Sequence, residues 1–426
     1  MKPPFTNASA FTFAALLLTL GPVTAHAAED AGTKAYETAL ALSREARYPE
    51  AEKILQKLVK SRTQALGAED KETLRARLLL AAAMNNRSTL PEVEMRMREL
   101  LPVLTKVFGP EQREPLTCQS TLLHAMASNG RSAQAVEQFR PLIATMTRVL
   151  GAEDRHTLQA RENLAGALSE AGKPAAAEEE IREVLGISRR CFGPESRNAL
   201  GCEDLLILTL HRRGQKEEAE KRCRALLDTK TRLFGAESPA TLYTRGTLTE
   251  ILYAQHKLDE TEAQLRALVP LLEKVHGRKH PETLRYQSDL ALTLAAQGTY
   301  PEAEKRYRSL IPTQAQVLGA ENAETLSSRR NLARVLSEQG KKAEAEKEYR
   351  ALLTANEHAF GAAHGNTLRI CHSLAGCLWE QEKDAEALPY AQRALEGRTR
   401  LLGRDAADTQ ASRRLLEKVQ QGATRL

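Results

Sequence analysis

The chain of 426 residues has few aromatic side chains. Phe, Trp and Tyr make up 4% of it, and Trp379 is the single tryptophan. This scarcity argues against the stacking platforms on which proteins bind single-stranded nucleic acid. Charge of one sign is also lacking, because 61 Lys and Arg residues face 55 Asp and Glu residues, for a formal net charge of +6. Since a nucleic-acid partner requires concentrated positive charge, we expect none.

Motifs for catalysis and metal binding are absent from the sequence. It contains no H-E-x-x-H, no G-x-S-x-G and no glycine-rich phosphate loop, and its ten histidines are scattered. His276 and His280 are four residues apart, but Gly277 lies between them, so we expect turn and cap positions for both. The sequence therefore predicts no cofactor, no metal site and no enzymatic activity.

The six cysteines show neither a C-x-x-C motif nor a zinc-site spacing. Cys371 and Cys377, six residues apart on one predicted helix, point to different faces and are poorly placed to bond. Cys191 ends one predicted helix and Cys202 lies early in the next, so a disulfide could join them across the loop. The alternative is that the cysteines are small apolar fillers between helices.

The N-terminal residues form a separate element. Lys2 precedes a short apolar run from Phe11 to Leu20, and an A-x-A site ends at Ala27. This order is typical of a secretory signal peptide, and the run is too short for a transmembrane helix. We predict a signal peptide at residues 1–27, cleavage after Ala27, and a periplasmic or secreted mature chain without a transmembrane span. Two alternatives are an uncleaved interfacial anchor and a cytoplasmic protein with an apolar leader.

Glycine recurs at a fixed interval of 42 residues, nine times without a slip. The positions are Gly67, Gly109, Gly151, Gly193, Gly235, Gly277, Gly319, Gly361 and Gly403. Most of them are followed six residues later by Thr-Leu, as at Thr157-Leu158 and Thr283-Leu284. A fixed period of tens of residues is typical of a solenoid, in which one supersecondary unit stacks on its copies. This architecture favours binding over catalysis.

The repeat also marks where a first helix begins. Glycine just past a helix supplies the left-handed conformation of a Schellman or αL cap, so each period glycine predicts a helix end. Good N-cap residues follow three positions later, at Asp70, Asp154, Ser196, Ser238 and Asn322. Pro239 and Pro281 occupy the next position, where proline is preorganised for a helix. A first helix therefore starts at this point of each repeat.

A second helix follows a break at Gly130, Gly172, Gly214, Gly298 and Gly340. Prolines open it at Pro49, Pro91 and Pro301, with Pro174 one residue ahead of that register. It carries in-phase arginines, most with Glu four residues earlier: Arg98, Arg140, Arg182, Arg224, Arg266, Arg308 and Arg350. Such pairs stabilise an exposed helix edge by about 0.2–0.5 kcal/mol each, and we interpret them as structural.

These signals predict an all-α chain of nine helix pairs and one closing helix. The first helix of the first pair is expected near residues 34–47. The repeats then occupy residues 28–404, and a capping helix with a short tail occupies residues 405–426. The closing helix is expected from about Asp408 to Gln420, with Arg413, Arg414 and Lys418 on an exposed outer face. Terminal repeats need such a polar face for solubility.

The chain resembles tetratricopeptide repeat proteins, and the 42-residue form is similar to the repeats of kinesin light chains. The matching motifs are His280-Pro281-Glu282-Thr283-Leu284, Asn331-Leu332-Ala333 and the segment from Gly298 to Glu304. The resemblance spans about residue 31 to the C-terminus, and we expect a bacterial source. It implies a right-handed superhelix whose first helices line a concave ligand groove. Kinesin light chains carry a heptad coiled coil ahead of their repeats, for which this sequence has no room, so motor binding is not implied.

By the same analogy, the exposed first-helix positions fall at fixed phases after each glycine. Near the C-terminus they are Arg285, Ser288, Arg330, Arg334, Arg369, His372 and Trp379. In the middle they are Glu162, Asp204, His211, Tyr243, Glu250 and Tyr253. We predict partner contacts from the named Arg residues, His372, Trp379, Tyr243 and Tyr253, because Trp and Arg most often dominate binding energy. Alternatively, Trp379 fills the last apolar layer, and the arginines pair with Glu338 or Glu380.

Two functions fit these observations. The first is a non-catalytic scaffold, exported from the cytoplasm, that docks a peptide or partner protein in its groove. Because Arg forks suit bidentate capture of carboxylates, we expect the partner to carry an acidic segment. The alternative is an intracellular accessory protein on a tubulin-like filament, by analogy with kinesin light chains. The sequence does not predict an oligomeric state.

Overall fold

In the computed structural model of the chain, the described residues are 31–44, 48–84 and 90–423. They form helices α1 to α19 and no strand, which confirms the all-α prediction. The predicted signal peptide at residues 1–27 lies outside the described residues. Within the described ranges, no helix combines the length and the apolar character that crossing a membrane requires.

The helices divide between two compact units, which meet in sequence between Gln255 and His256. Unit 1 contains α1 Ala31–Arg44, α2 Tyr48–Leu66, α3 Lys71–Met84, α4 Leu90–Phe108, α5 Arg113–Met126, α6 Ser132–Leu150, α7 Arg155–Glu170, α8 Pro174–Phe192, α9 Arg197–Arg212, α10 Lys216–Phe234 and α11 Pro239–Ala254. Unit 2 contains α12 Leu258–Val275, α13 Pro281–Ala296, α14 Tyr300–Val317, α15 Ala323–Glu338, α16 Lys342–Phe360, α17 Gly365–Trp379, α18 Asp384–Leu402 and α19 Ala407–Ala423.

The helix order over the described residues confirms nine pairs and a closing helix. Within each unit, every helix packs on the next, and first helices of consecutive repeats also touch. The closing helix α19 buries Val419 and packs Leu415 and Leu416 on the apolar cluster of α15 to α18. Since burying one such side chain fully stabilises the fold by about 1.5–3 kcal/mol, α19 protects the last layer as a terminal cap must.

The period glycines end helices, but five of them, Gly151, Gly193, Gly235, Gly361 and Gly403, do not adopt the predicted left-handed helical conformation. Gly151 has φ 99° and ψ 153°, and Gly235 has φ 83° and ψ 163°. This region, with φ positive and ψ near 160°, is essentially open to glycine alone. The Schellman or αL cap expected here is therefore wrong. The Gly235 N–H nevertheless continues the helix by donating to the Thr231 carbonyl at 3.0 Å.

The predicted N-caps are largely confirmed. The side chain of Asp154 accepts from the His156 N–H, and that of Asn322 accepts from the Glu324 N–H at 2.9 Å. Ser238 occupies an N-cap position without a side-chain hydrogen bond. His280 Nδ1 accepts from the Glu282 N–H at 3.3 Å, which confirms the cap position expected for His280.

The Glu–Arg pairs of the second helices differ from the predicted exposed edge, because their glutamates are largely buried. Glu304 is 9% exposed, and its carboxylate accepts from Arg308 at 2.9 Å. It also accepts from Lys341 and Gln339, both at 2.7 Å, in the turn of the next repeat. Burial alone would raise the pKa of Glu304, but these hydrogen bonds outweigh it and lower the pKa. The glutamate therefore links consecutive repeats.

The cysteines do not form the disulfide that the sequence allowed. All six are free thiols. Cys191 is exposed at the end of α8, whereas Cys202 is buried in α9 with its Sγ 4.0 Å from Glu162 Oε2. Because the two side chains occupy different environments, the Cys191–Cys202 disulfide is wrong for this structure. The filler interpretation fits the other five cysteines, which are all buried.

Candidate binding site

The structure places the predicted contact residues in both units. Arg285, Arg330, Arg334, Arg369, His372 and Trp379 lie on α13, α15 and α17 of unit 2. Tyr243 and Tyr253 lie on α11 of unit 1. Tyr243 is only 6% exposed, so the exposed position expected for it is wrong, and Tyr253 is half-buried. The site is therefore built from unit 2, and the face that carries these first-helix residues is called its inner surface.

Three arginines of the inner surface pair with no acidic residue in the described part of the chain. Arg330 and Arg334 lie one turn apart on α15, and Arg369 lies on α17. Among the residues that the structure describes, no carboxylate oxygen lies within 4.0 Å of these guanidinium groups. Glu380, one of the two carboxylates that the sequence offered as partners for these arginines, pairs instead with Lys342 at 3.8 Å. The three cations are thus left without local neutralisation.

The environment of Arg330 shows that the three charges act on one another. Burial, and after it the charges of Arg369 and Arg334, lowers the pKa of Arg330 to about 10. Arg330 stays protonated at neutral pH, and its side chain makes long contacts with Ser327 Oγ at 3.3 Å and Asn331 Oδ1 at 3.4 Å. Like charges one turn apart destabilise a helix, so an anion bound at this point would relieve a repulsion.

Arg285 differs from these three arginines, although it lies in the same row. Its Nη1 is 3.9 Å from the Asp289 carboxylate, and its guanidinium lies 4.0 Å from the centroid of the Tyr286 ring. Burial raises the pKa of Glu324, and the charge of Arg285 acts in the opposite direction. Two carboxyl groups therefore surround Arg285, which makes it a weaker anchor for an outside anion.

His372 contributes a hydrogen bond to the site, not a charge. Burial, and after it the charge of Arg398, lowers its pKa to about 4. Its Nδ1 lies 3.3 Å from Ser412 Oγ on α19, and the same hydroxyl is 2.8 Å from Arg398 Nη1. At neutral pH the imidazole is thus uncharged and ties α17 to α19.

Trp379 fills the last apolar layer, which is one of the two interpretations that the sequence left open, and its contact with a partner stays a prediction. It packs on the apolar cluster of unit 2 while remaining half-buried. Lys418 Nζ of α19 lies 5.0 Å from the centroid of its ring, a distance typical of a cation–π contact. The tryptophan therefore fills the last layer and also presents one face to the closing helix.

Lys418 and Arg414 belong to the inner surface, although the sequence pattern had predicted an outer face for both. Counting by 42 residues, Arg414 shares the position of Arg330, and Lys418 shares that of Arg334. Both are exposed, as predicted, but the contact of Lys418 with Trp379 turns it towards α17 instead of outwards. Extending the period through the closing helix is the signal that identifies them.

The acidic first-helix positions of unit 1 have a structural role. Asp204 is buried and pairs with Lys230, whose Nζ also donates to Thr244 Oγ1 at 2.9 Å. Glu162 is 3% exposed and accepts from Gln159 Nε2 at 3.3 Å. Burial and then the charge of Asp204 raise the pKa of Glu162 to about 8, so this carboxyl group is mostly protonated at neutral pH. No cluster of metal ligands occurs among the described residues.

Comparison with protein families identifies the repeat. Residues 157–198 match one description of the tetratricopeptide repeat, and residues 248–314, 290–358 and 324–400 match another. No curated protein matches the chain. The matched segments include α13, α15 and α17, which carry the arginines of the inner surface.

Solved structures share this fold at low sequence identity. The apo quorum sensor NprR of B. thuringiensis has a TM-score of 0.56 and 14% identity over 85% of this chain and 97% of its own. A Rap protein complexed with Competence and Sporulation Factor has a TM-score of 0.52 and 12% identity, covering 92% and 99%. Nearly identical TPR-like repeats of a Podospora anserina kinesin light chain have 23% identity and a TM-score of 0.44, covering 47% and 95%. These similarities concern the fold alone.

Proposed function

The chain is a tetratricopeptide repeat protein, and we propose that it is a non-catalytic scaffold that binds an acidic segment of a partner protein or peptide on the inner surface of unit 2. Arrays of this kind present extended surfaces built from one helix of each repeat. The observation that carries the proposal is the group Arg330, Arg334 and Arg369, to which no described carboxylate is paired. Other arginines of the same repeats, such as Arg329 with Glu348, have their partners.

The chemistry of these side chains favours carboxylates as ligands. A guanidinium group presents a planar fork of donors that matches the two oxygens of a carboxylate, and charge-assisted bonds of this type are about twice as strong as neutral ones. Because Arg330 is largely withdrawn from water, an ion pair formed there is screened less than one at an exposed site. A bound carboxylate would also offset the repulsion between Arg330 and Arg334.

The double variant Arg330→Ala/Arg334→Ala tests this site. A fluorescent hexaglutamate peptide should bind the parent chain at low salt. The double variant should raise the Kd of this peptide at least tenfold, because two guanidinium groups that bind its carboxylates are lost. Binding should also weaken with added salt. Fluorescence anisotropy measures both effects, and a hexaglutamine peptide reports any contribution that is independent of charge.

Arg329→Ala is the control, since it removes one positive charge from the helix from which the double variant removes two. Arg329 Nε pairs with Glu348 at 2.7 Å, so it is already neutralised. The control should bind hexaglutamate within about twofold of the parent. Equal affinities for the parent and the double variant at low salt would show that the inner surface of unit 2 is not the acidic-segment site.

We also propose that the scaffold works outside the cytoplasm. The support is the order of residues 1–27: a basic start, a short apolar run and an A-x-A site ending at Ala27. Intact-mass spectrometry of the protein purified from its native host should give a chain that begins at Ala28. A mass that includes residues 1–27 would contradict export by cleavage and favour a retained leader.

A further inference from the structure

The closing helix carries cations that a cap does not need. From their placement we infer that the partner's acidic segment crosses Gly376 on α17 and is held by Arg334 of α15 on one side and Lys418 of α19 on the other. This inference rests on the proposed function and adds the path and spacing of the acidic segment. It also gives α19 a role in ligand recognition beyond covering the apolar cluster.

The first observation is the open space at Gly376. Arg334, Gly376 and Lys418 occupy the same position in three consecutive repeats, and the first helices that carry them touch in order. A Cβ built on Gly376 would meet no atom within 4 Å. Gly376 is helical and has no turn to form, so the missing side chain leaves a low point between two exposed cations.

The second observation concerns the direction of those cations. Tyr349 of α16 lies beside Ser373, and Ser373 lies one turn before Gly376 on α17. Burial raises the pKa of Tyr349, and the nearby charge of Arg334 lowers it. On the other side, Lys418 Nζ is 5.0 Å from the ring of Trp379, one turn after Gly376. The charge of Arg334 thus acts on Tyr349 beside Ser373, and Lys418 lies next to Trp379 at the other end of this stretch of α17.

The third observation is that no local acid neutralises this row. In the described part of the chain, no carboxylate lies within 4.0 Å of the terminal groups of Arg334, Arg414 or Lys418. Arg414 lies one turn before Lys418 on α19, just as Arg330 lies one turn before Arg334 on α15. Two pairs of cations therefore flank Gly376, and a ligand with two separate groups of carboxylates complements them.

The helix spacing sets the length of the ligand. Packed helices lie about 8–10 Å apart, so the path from α15 across α17 to α19 covers about 16–20 Å. An extended peptide advances about 3.3 Å per residue, and five or six residues cover that path. The fitting ligand is an extended segment with acidic residues at both ends and small residues over Gly376.

Two peptides of equal composition test this spacing with the full chain. One is Glu-Glu-Gly-Gly-Glu-Glu, in which the acidic groups are separated, and the other is Glu-Glu-Glu-Glu-Gly-Gly, in which they are contiguous. The parent should bind the separated peptide at least fivefold more tightly, measured by fluorescence anisotropy at low salt. Equal affinities for the two peptides would overturn the inference.

Two variants on α19 separate the path of the segment from an effect of net charge. Lys418→Ala should weaken binding of the separated peptide about fivefold to tenfold and that of the contiguous peptide less than twofold. Arg413→Ala also removes one positive charge from α19, about one turn before Lys418. It should leave the affinities for both peptides within twofold of those of the parent. Equal losses in the two variants would show that only net charge matters and would overturn the inference.

Gly376 supplies a test that does not change charge. Gly376→Gln fills the low point and should weaken the separated peptide at least fivefold, whereas Gly376→Ala, for which there is space, should change it less than twofold. If neither affects binding, the segment does not cross Gly376. Loss of all peptide binding in Arg330→Ala/Arg334→Ala, with no effect of Lys418→Ala, would refute this path while retaining the proposed function. Stronger competition by a single-stranded oligonucleotide than by the peptide would reject an acidic peptide as the occupant.

Discussion

Replacing Gly235 with valine should lower the free energy of unfolding by about 1–3 kcal/mol, the range for a residue held in a backbone region that its side chain disfavours. Gly235 has φ 83° and ψ 163° at the end of α10. An added Cβ would meet no atom within 4 Å, so the loss comes from the backbone conformation and not from a clash. Chemical denaturation followed by circular dichroism measures it, with the midpoints compared because long repeat arrays lose two-state behaviour.

Gly166 offers the matched control. It lies inside α7, and an added Cβ there also meets no atom within 4 Å. Because alanine is the better helix former by about 1 kcal/mol, Gly166→Ala should raise the denaturation midpoint while Gly235→Val lowers it. Unchanged midpoints for Gly235→Val and for the equivalent substitution of Gly193 would show that the period glycines do not need their backbone conformation.

Helix order was predictable from the sequence because its determinants are local. Caps, prolines and glycines act within a few residues, and a period of 42 residues repeats them nine times. The glycine pattern did not predict two of the turns between first and second helices. His256 and Glu382 adopt φ values of 59° and 61° at positions where other repeats have glycine, because the surrounding helices impose the turn even on residues that disfavour it. A pattern built on glycine alone cannot show that.

The binding site was only partly predictable, because neutralisation depends on distances between repeats. The sequence identified Arg285, Arg330, Arg334 and Arg369 as inner positions, but it could not tell that the charge of Arg285 acts on Glu324 of the next repeat. Lys418 follows Gly403 at the same interval as Arg334 follows Gly319, but the expectation of a polar cap placed it on the outer face. The burial of Tyr243 likewise follows from packing that no single repeat encodes.

Links between repeats lead to the second prediction: Glu304→Ala should destabilise unit 2 by about 2 kcal/mol. The Glu304 side chain is 12% exposed and accepts hydrogen bonds from Arg308, Lys341 and Gln339. A hydrogen bond to a charged group contributes about 1.5–3 kcal/mol. The exposure of Lys341 and Arg308, at 40% and 52%, lets water replace part of that loss. Denaturant unfolding of the variant and the parent at pH 7 measures the difference.

The dependence on pH separates this carboxylate from simple surface charge. The pKa of Glu304 is lower in the folded chain than its ordinary value of 4.5, so the folded state binds fewer protons than the unfolded state in that range. Its stabilisation is present above pH 4.5 and is lost as the pH falls through the folded pKa. The difference between parent and Glu304→Ala should therefore shrink in acid, because the parent loses the same interaction on protonation.

Glu302→Ala is the control for Glu304→Ala, since Glu302 is more exposed, and its pairs with Arg306 at 2.9 Å and with Arg266 of the preceding repeat at 3.0 Å lie on the surface. Exposed pairs of this kind contribute about 0.2–1 kcal/mol, so its effect should be the smaller. If both variants unfold alike at pH 7, then the bonds from Glu304 to the next turn add nothing beyond a surface pair. If only Glu304→Ala is destabilised, and less so in acid, Glu304 joins neighbouring repeats through Lys341 and Gln339. Its hydrogen bonds to that turn then explain why a glutamate occupies this position of the second helix.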